Sequence, residues 1–132
     1  MDVEISPVQS LSGSIRPPGS KSITNRAMLC AALSNGTCRL SGVLDSDDTR
    51  AMIQGLGLLG IDIEHDAEQA IALVNGSPGT FARQPAEVYC ENSGTTIRFL
   101  CGAATQGHAP IRLDGNDRMR TRPIADLVDE HA

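Results

Sequence analysis

Pro17-Pro18-Gly19-Ser20-Lys21-Ser22-Ile23-Thr24-Asn25-Arg26 joins a stiff Pro-Pro step and a permissive glycine to a run that reads as a helix, and it holds the sole lysine of the chain. The prolines fix the backbone of the approach, Gly19 allows a sharp turn, and Ser20 or Ser22 can cap the helix with a side-chain oxygen. The first turn of such a helix presents free backbone N–H groups and the positive end of its dipole. Ser22 and Arg26, four positions apart, share one face of it beside Lys21. Together these features describe a seat for a phosphate or a carboxylate; the plain alternative is an ordinary helix start with solvated charges.

Downstream, Ile23, Ala27, Cys30 and Ala31 keep helical spacing and predict a buried face, and Asn35-Gly36 supplies the stop. Residues 37–41 read as a strand. Asp45-Ser46-Asp47-Asp48 opens a second helix, with Ser46 as cap and the aspartates favourable near its positive end. Capping already explains those residues, which leaves little reason to read them as a magnesium site. Met52, Ile53, Leu56 and Leu59 form the apolar face of this helix, and Gly60 ends it. Residues 61–64 and 70–74 alternate as a hairpin pair around an acidic, solvated turn, with His65 read as a surface histidine. Upstream of the seat, residues 3–6 and 11–15 read as short strands.

A strand at 87–90 then leads to Glu91-Asn92-Ser93-Gly94-Thr95-Thr96-Ile97-Arg98, a second polar, glycine-containing entry into a helix. Arg26 and Arg98 stand 72 positions apart, Ala31-Ala32-Leu33 is echoed by Ala103-Ala104-Thr105, and Arg39-Leu40-Ser41-Gly42 by Arg112-Leu113-Asp114-Gly115. An internal duplication of about 72 residues, with two helix termini presented alike, is the natural reading; chance similarity between two Ala-rich helices is the alternative. The second copy stops inside its second helix, so the chain is expected to be cut short. A third polar stretch, Asn116-Asp117-Arg118-Met119-Arg120-Thr121-Arg122-Pro123, is expected to be an extended loop that places Arg118, Arg120 and Arg122 on one side and enters a helix with Pro123 at its first position. Three clustered guanidiniums make most sense around an anion; the alternative is a solvated basic loop paired with Asp114 and Asp117. Arg122, at the helix entry, is the strongest ligand candidate of the three.

The chain has 132 residues, enough for one ordinary domain, with 40% hydrophobic and 20% charged residues. A net charge of -5 disfavours nucleic acid and anionic membranes, and Phe81, Tyr89 and Phe99 are too few aromatics for a single-strand binder. Any anion must therefore be met locally. Cys30, Cys38, Cys90 and Cys101 show no paired spacing and are expected to be buried, reduced thiols, with no metal site. The start of the chain has no basic-then-apolar leader, from which a cytoplasmic location is expected.

With P-P-G-S-K-S-I-T-N-R, E-N-S-G-T-T-I-R and D-R-M-R-T-R-P-I in this order, the chain resembles the N-terminal part of the 5-enolpyruvylshikimate-3-phosphate synthase family over essentially its whole length. The related UDP-N-acetylglucosamine enolpyruvyl transferases typically have asparagine after the lysine, so Lys21-Ser22 favours the shikimate enzymes. The resemblance implies an α/β (α+β) fold of repeated βαβαββ units, about one and a half of them present. Residues 1–15 would be strands of a missing second domain, and residues 16–132 an incomplete N-terminal substrate-binding domain (first repeat about 16–80, partial second about 86–132). It implies transfer of the enolpyruvyl group of phosphoenolpyruvate to the 5-hydroxyl of shikimate 3-phosphate, in the shikimate pathway to aromatic amino acids. Neither a cofactor nor a metal is implied. By position, Lys21 would touch both substrates and take part in catalysis. Ser22, Arg26 and Thr95 would hold shikimate 3-phosphate, and Gly94 and Arg122 phosphoenolpyruvate. Thr96 and Phe99 depart from the alanine and proline common in the family. The remaining polypeptide would be the chain's partner in building the cleft. A non-catalytic phosphate- or carboxylate-binding module, and an oligomer that rebuilds the cleft, are the competing readings.

Overall fold

The computed structural model describes residues 3–129. Helix α1 (Lys21–Ala32) is capped by Ser20, whose hydroxyl accepts from the Ile23 N–H at 3.4 Å, so Ser20 and not Ser22 performs the capping. Helix α2 (Asp47–Leu58) begins in a reciprocal box: Ser46 Oγ accepts from Thr49 N, and Thr49 Oγ1 accepts from Ser46 N at 2.9 Å. Helix α3 (Gly94–Ala104) is capped by Ser93, which accepts from Thr96 N at 3.3 Å. Three serines in the same local role thus start the three long helices.

The strands β1 (Gly36–Ser41), β2 (Asp62–Asp66) and β3 (Ile71–Gly76) form an antiparallel sheet in the order β1-β3-β2. Strands β4 (Ala86–Tyr89) and β5 (Ile111–Asp114) pair in parallel, with α3 as the crossover between them. The architecture is a mixed α and β one. Helices α1, α2 and α3 pack against one another; α1 and α2 cover the three-stranded sheet, while α2 and α3 also reach β4 and β5. Met28, Met52, Leu56, Val74, Val88 and Leu100 are fully buried or nearly so where these layers meet. Each such side chain contributes about 1.5–3 kcal/mol through removal of apolar area from water.

Several expectations need correction. The buried stripe of α1 is Thr24, Asn25, Met28, Ala31 and Ala32, whereas Ile23 is 68% exposed. Thr24 is drawn inward because its hydroxyl accepts from the Leu44 N–H at 3.1 Å, a long-range bond that helical hydropathy does not register. Residues 3–15 form no strand; Val3, Ile5, Leu11 and Ile15 are all exposed, and among the described residues no other strand pairs with them. Cys30 is exposed and Cys38 and Cys101 half-buried, so Cys90 alone is the buried thiol, its pKa pushed up to about 11 by burial. His65 is half-buried rather than superficial. Register explains it: His65 lies opposite Ala72, and Leu40 lies opposite Ala72 from the other side, so His65 belongs to the inward row of the sheet.

Gly19 illustrates how the entry to α1 is fixed. A methyl group at Gly19 would collide with the carbonyl oxygen of Gly42 and lie 3.0 Å from the amide nitrogen of Leu44, both backbone atoms that cannot rotate away. Gly19→Ala is therefore expected to destabilise the fold by about 1–3 kcal/mol, the cost of overpacking a closed contact. Chemical denaturation of the two forms measures this, and an unchanged midpoint would show that the approach of the two segments is not tight.

Candidate functional site

The N-termini of α1 and α3 open onto one cavity of about 430 Å³. Lys21, Ser22 and Arg26 line it from α1, Gly94 and Thr95 from α3, and Arg122 from the segment after β5. All six candidate residues of the sequence thus lie around one space, although they derive from three stretches separated by up to 101 positions (Lys21 to Arg122). Asp48, Asn92, Arg98 and Phe99 complete the wall. Four cations against one carboxylate give a locally positive wall on a chain whose net charge is -5. Uncapped N–H groups of two helix starts add to that field.

Each cation is held differently. The Lys21 ammonium lies 3.2 Å from Asp48 Oδ2. The Arg26 guanidinium donates to the Ser22 carbonyl at 3.1 Å and sits 5.4 Å above the centroid of the Phe99 ring, where the negative face of the π-system attracts it. Arg98 donates to the Gly94 carbonyl at 3.2 Å and to the Pro123 carbonyl at 2.8 Å, tying the first turn of α3 to the segment that carries Arg122. Among the described residues Arg26, Arg98 and Arg122 form no ion pair. Their charge is available to a ligand.

Gly94 leaves room for the ends of two arginine side chains. A Cβ there would lie 2.5 Å from Arg122 Nη1 and 3.0 Å from Arg98 Nη1, so the two guanidiniums pack directly over the Gly94 backbone. The expected alternation of Arg118, Arg120 and Arg122 along an extended loop is not what forms. Asn116 caps a single helical turn, α4 (Asp117–Arg120), by accepting from Met119 N at 2.9 Å. The turn sends Arg120 back onto Asp114, with Nη2 to Oδ2 at 2.8 Å, and onto Asp117 at 3.3 Å. Arg120 and the Gly115 N–H hold the Asp114 carboxyl well below the usual carboxylate range. Arg120 is thereby spent on the protein itself, and Arg122 alone of the three lines the cavity. Pro123 does not open a helix either; it precedes α5 (Ala125–Asp129), and its carbonyl is an acceptor for Arg98. The N-cap residue Asn116 was the available signal for α4.

Among the described residues, no group of His, Cys, Asp and Glu side chains could hold a metal ion, and no helix is long and apolar enough to cross a membrane. Residues 5–130 match the family model for EPSP synthase (3-phosphoshikimate 1-carboxyvinyltransferase). The chain belongs to the EPSP synthase family. It is 41% identical over 128 residues to a 3-phosphoshikimate 1-carboxyvinyltransferase of a Sulfurovum species, covering 96% of this chain and 30% of the relative. It is 42% identical over 127 residues to the Burkholderia vietnamiensis protein of the same name, covering 96% of this chain and 29% of the relative. In three dimensions it is similar to an EPSP synthase of Acinetobacter baumannii, with a TM-score of 0.77 and 25% sequence identity, over 90% of this chain and 27% of that one. The chain thus spans about 30% of the length of the curated EPSP synthases it matches.

Proposed function

We propose that this chain supplies one wall of the site at which the enolpyruvyl group of phosphoenolpyruvate is transferred to the 5-hydroxyl of shikimate 3-phosphate, with release of phosphate. The observation that carries this reading is the convergence of Lys21, Arg26, Arg98 and Arg122 on one cavity in a chain of the EPSP synthase family. Both substrates are polyanions, and an enzyme that joins them must first overcome their mutual repulsion. Lys21, central to the wall, meets both. Ser22, Arg26 and Thr95 hold shikimate 3-phosphate, Arg26 being oriented by Phe99. Arg122, packed over Gly94, binds the charged groups of phosphoenolpyruvate. Residues 16–132 act in this reading as part of an N-terminal substrate-binding domain, and the remaining polypeptide of a full-length synthase closes the cleft. Charge stabilisation by fixed donors then favours the transition state over the separated substrates.

The test is a full-length polypeptide in which this chain is joined to the remainder of the Burkholderia vietnamiensis relative. Phosphate release that requires both substrates supports the reading, and its absence in a folded chimera sinks it. In the same chimera Gly94→Ala is expected to raise the KM for phosphoenolpyruvate by roughly tenfold or more, about 1.4 kcal/mol, because the new methyl would lie 2.5 Å from Arg122 Nη1 and push the guanidinium aside. The KM for shikimate 3-phosphate changes less. An unaltered KM for phosphoenolpyruvate in this variant removes Arg122 from that role.

A further inference from the structure

Asp48 is out of keeping with the cavity it lines. Its carboxylate stands among Lys21, Arg26, Arg98 and Arg122, where a fixed negative charge opposes the entry of any anion. An acid in the first turn of α2 is favourable, but Ser46 and Thr49 already cap that start between themselves, so the place of Asp48 at the helix start does not explain why its carboxylate faces the cavity. Its contacts do. Oδ2 takes the Lys21 ammonium at 3.2 Å, Oδ1 accepts from the Ser93 hydroxyl at 2.7 Å, and the Asp48 carbonyl accepts from the Thr96 hydroxyl at 3.2 Å. Ser93 is 2% exposed and Thr96 is fully buried. Two buried hydroxyls at the start of α3 therefore immobilise Asp48, and Asp48 in turn holds the end of a long side chain from α1.

We propose that Asp48 is the positioning residue for Lys21, tying the ammonium group of α1 to the N-terminus of α3 and so fixing its place relative to Gly94 and Arg122. A lysine has three donors. One can stay on Asp48 while the others turn to a ligand, so the tether need not break when an anion enters. Without it, the four-carbon stem samples many rotamers, and ordering it again on each binding event costs conformational entropy. The threonine at position 96 gains a purpose here that an alanine could not serve, because its hydroxyl anchors the Asp48 backbone. That Lys21 meets the substrates rests on the functional reading above; the tether itself rests on the contacts alone.

Two measurements decide it. Lys21 is the sole lysine, so reductive methylation of the 132-residue chain with 13C-formaldehyde labels that side chain and the terminal amine only. In the unsubstituted chain the two methyl groups of dimethylated Lys21 are expected to give separate resonances, as they do when an ammonium is held by one partner. In Asp48→Asn they are expected to merge, while the amide spectrum stays dispersed. A single averaged signal in the unsubstituted chain, or separate signals untouched by Asp48→Asn, overturns the proposal. In the full-length chimera, Asp48→Asn is expected to lower kcat by tenfold or more without raising the KM of either anion, since a repulsive charge has left the cavity. Added to Lys21→Met, the same change is expected to cost less than twofold. A raised KM together with additive losses would mark a structural role instead. If the unsubstituted chimera releases no phosphate, the functional reading fails and the tether is judged by the methyl spectrum.

Discussion

Arg122→Ala and Lys21→Met are each expected to lower kcat/KM of the full-length chimera by about 100-fold, or roughly 3 kcal/mol. Arg122 has no ion pair among the described residues, and its guanidinium lies over the Gly94 backbone at the start of α3. An arginine kept unpaired beside a helix N-terminus leaves its charge-assisted bonds for a ligand, at about 1.5–3 kcal/mol each. In the proposed reading, removing it would strip the phosphoenolpyruvate side of the cavity of its main charge. Lys21→Met preserves length and apolar packing while deleting the charge, so its loss reports electrostatics and not shape. Steady-state kinetics in both substrates checks the pair. Turnover within threefold of the unsubstituted enzyme in either variant would withdraw that residue from the machinery. Arg120→Ala is the informative contrast: Arg120 is occupied by Asp114 and Asp117, so its removal is expected to leave both KM values nearly unchanged.

Local chemistry made the helix starts that line the candidate site legible in the sequence. Ser20 and Ser93 cap helices because a serine oxygen before a helix satisfies an otherwise unpaired N–H, and that rule needs only neighbouring residues. The same rule located Ser46 and α2. What stayed hidden depends on contacts between distant segments. Asp48 reads as a capping acid until Ser93 and Lys21, 45 and 27 positions away, are seen to share its carboxylate. Phe99 reads as a departure from a family pattern until Arg26 is found above its ring. Thr24 and Asn25 interrupt the apolar pattern of α1, yet both are buried, because the face of a helix is chosen by what packs on it. The alternation of arginines at 118, 120 and 122 suggested an extended loop, and the hydrogen bond from Met119 N to Asn116 turned it into a helical turn instead. The apolar residues at 3, 5, 11 and 15 carry strand-like character, but a strand exists only with a partner.

The 132-residue chain by itself is expected to show no enolpyruvyl transfer, even where it binds anions. Shikimate 3-phosphate carries a phosphate and a carboxylate, and phosphoenolpyruvate carries the same two kinds of group, so productive binding must neutralise several charges away from water. The cavity wall offers four cations, one of them already shared with Asp48. The Lys21 side chain is 46% exposed, and ion pairs in such contact with solvent contribute about 0–1 kcal/mol and weaken further with salt. Preorganised charge accelerates a reaction when water is excluded from around it, and this wall of the cavity does not exclude water unaided. In the proposed reading, the part of the relatives beyond the 30% of their length matched here is the source of the closing surface. Inorganic phosphate is expected to bind the isolated chain weakly and to be displaced by moderate salt. A coupled phosphate-release assay with both substrates, run on the purified chain with and without the remaining polypeptide added in trans, separates the two cases. Turnover by the chain alone that persists through further purification and vanishes in Lys21→Met would show that this wall is sufficient for catalysis and that the closing surface is dispensable.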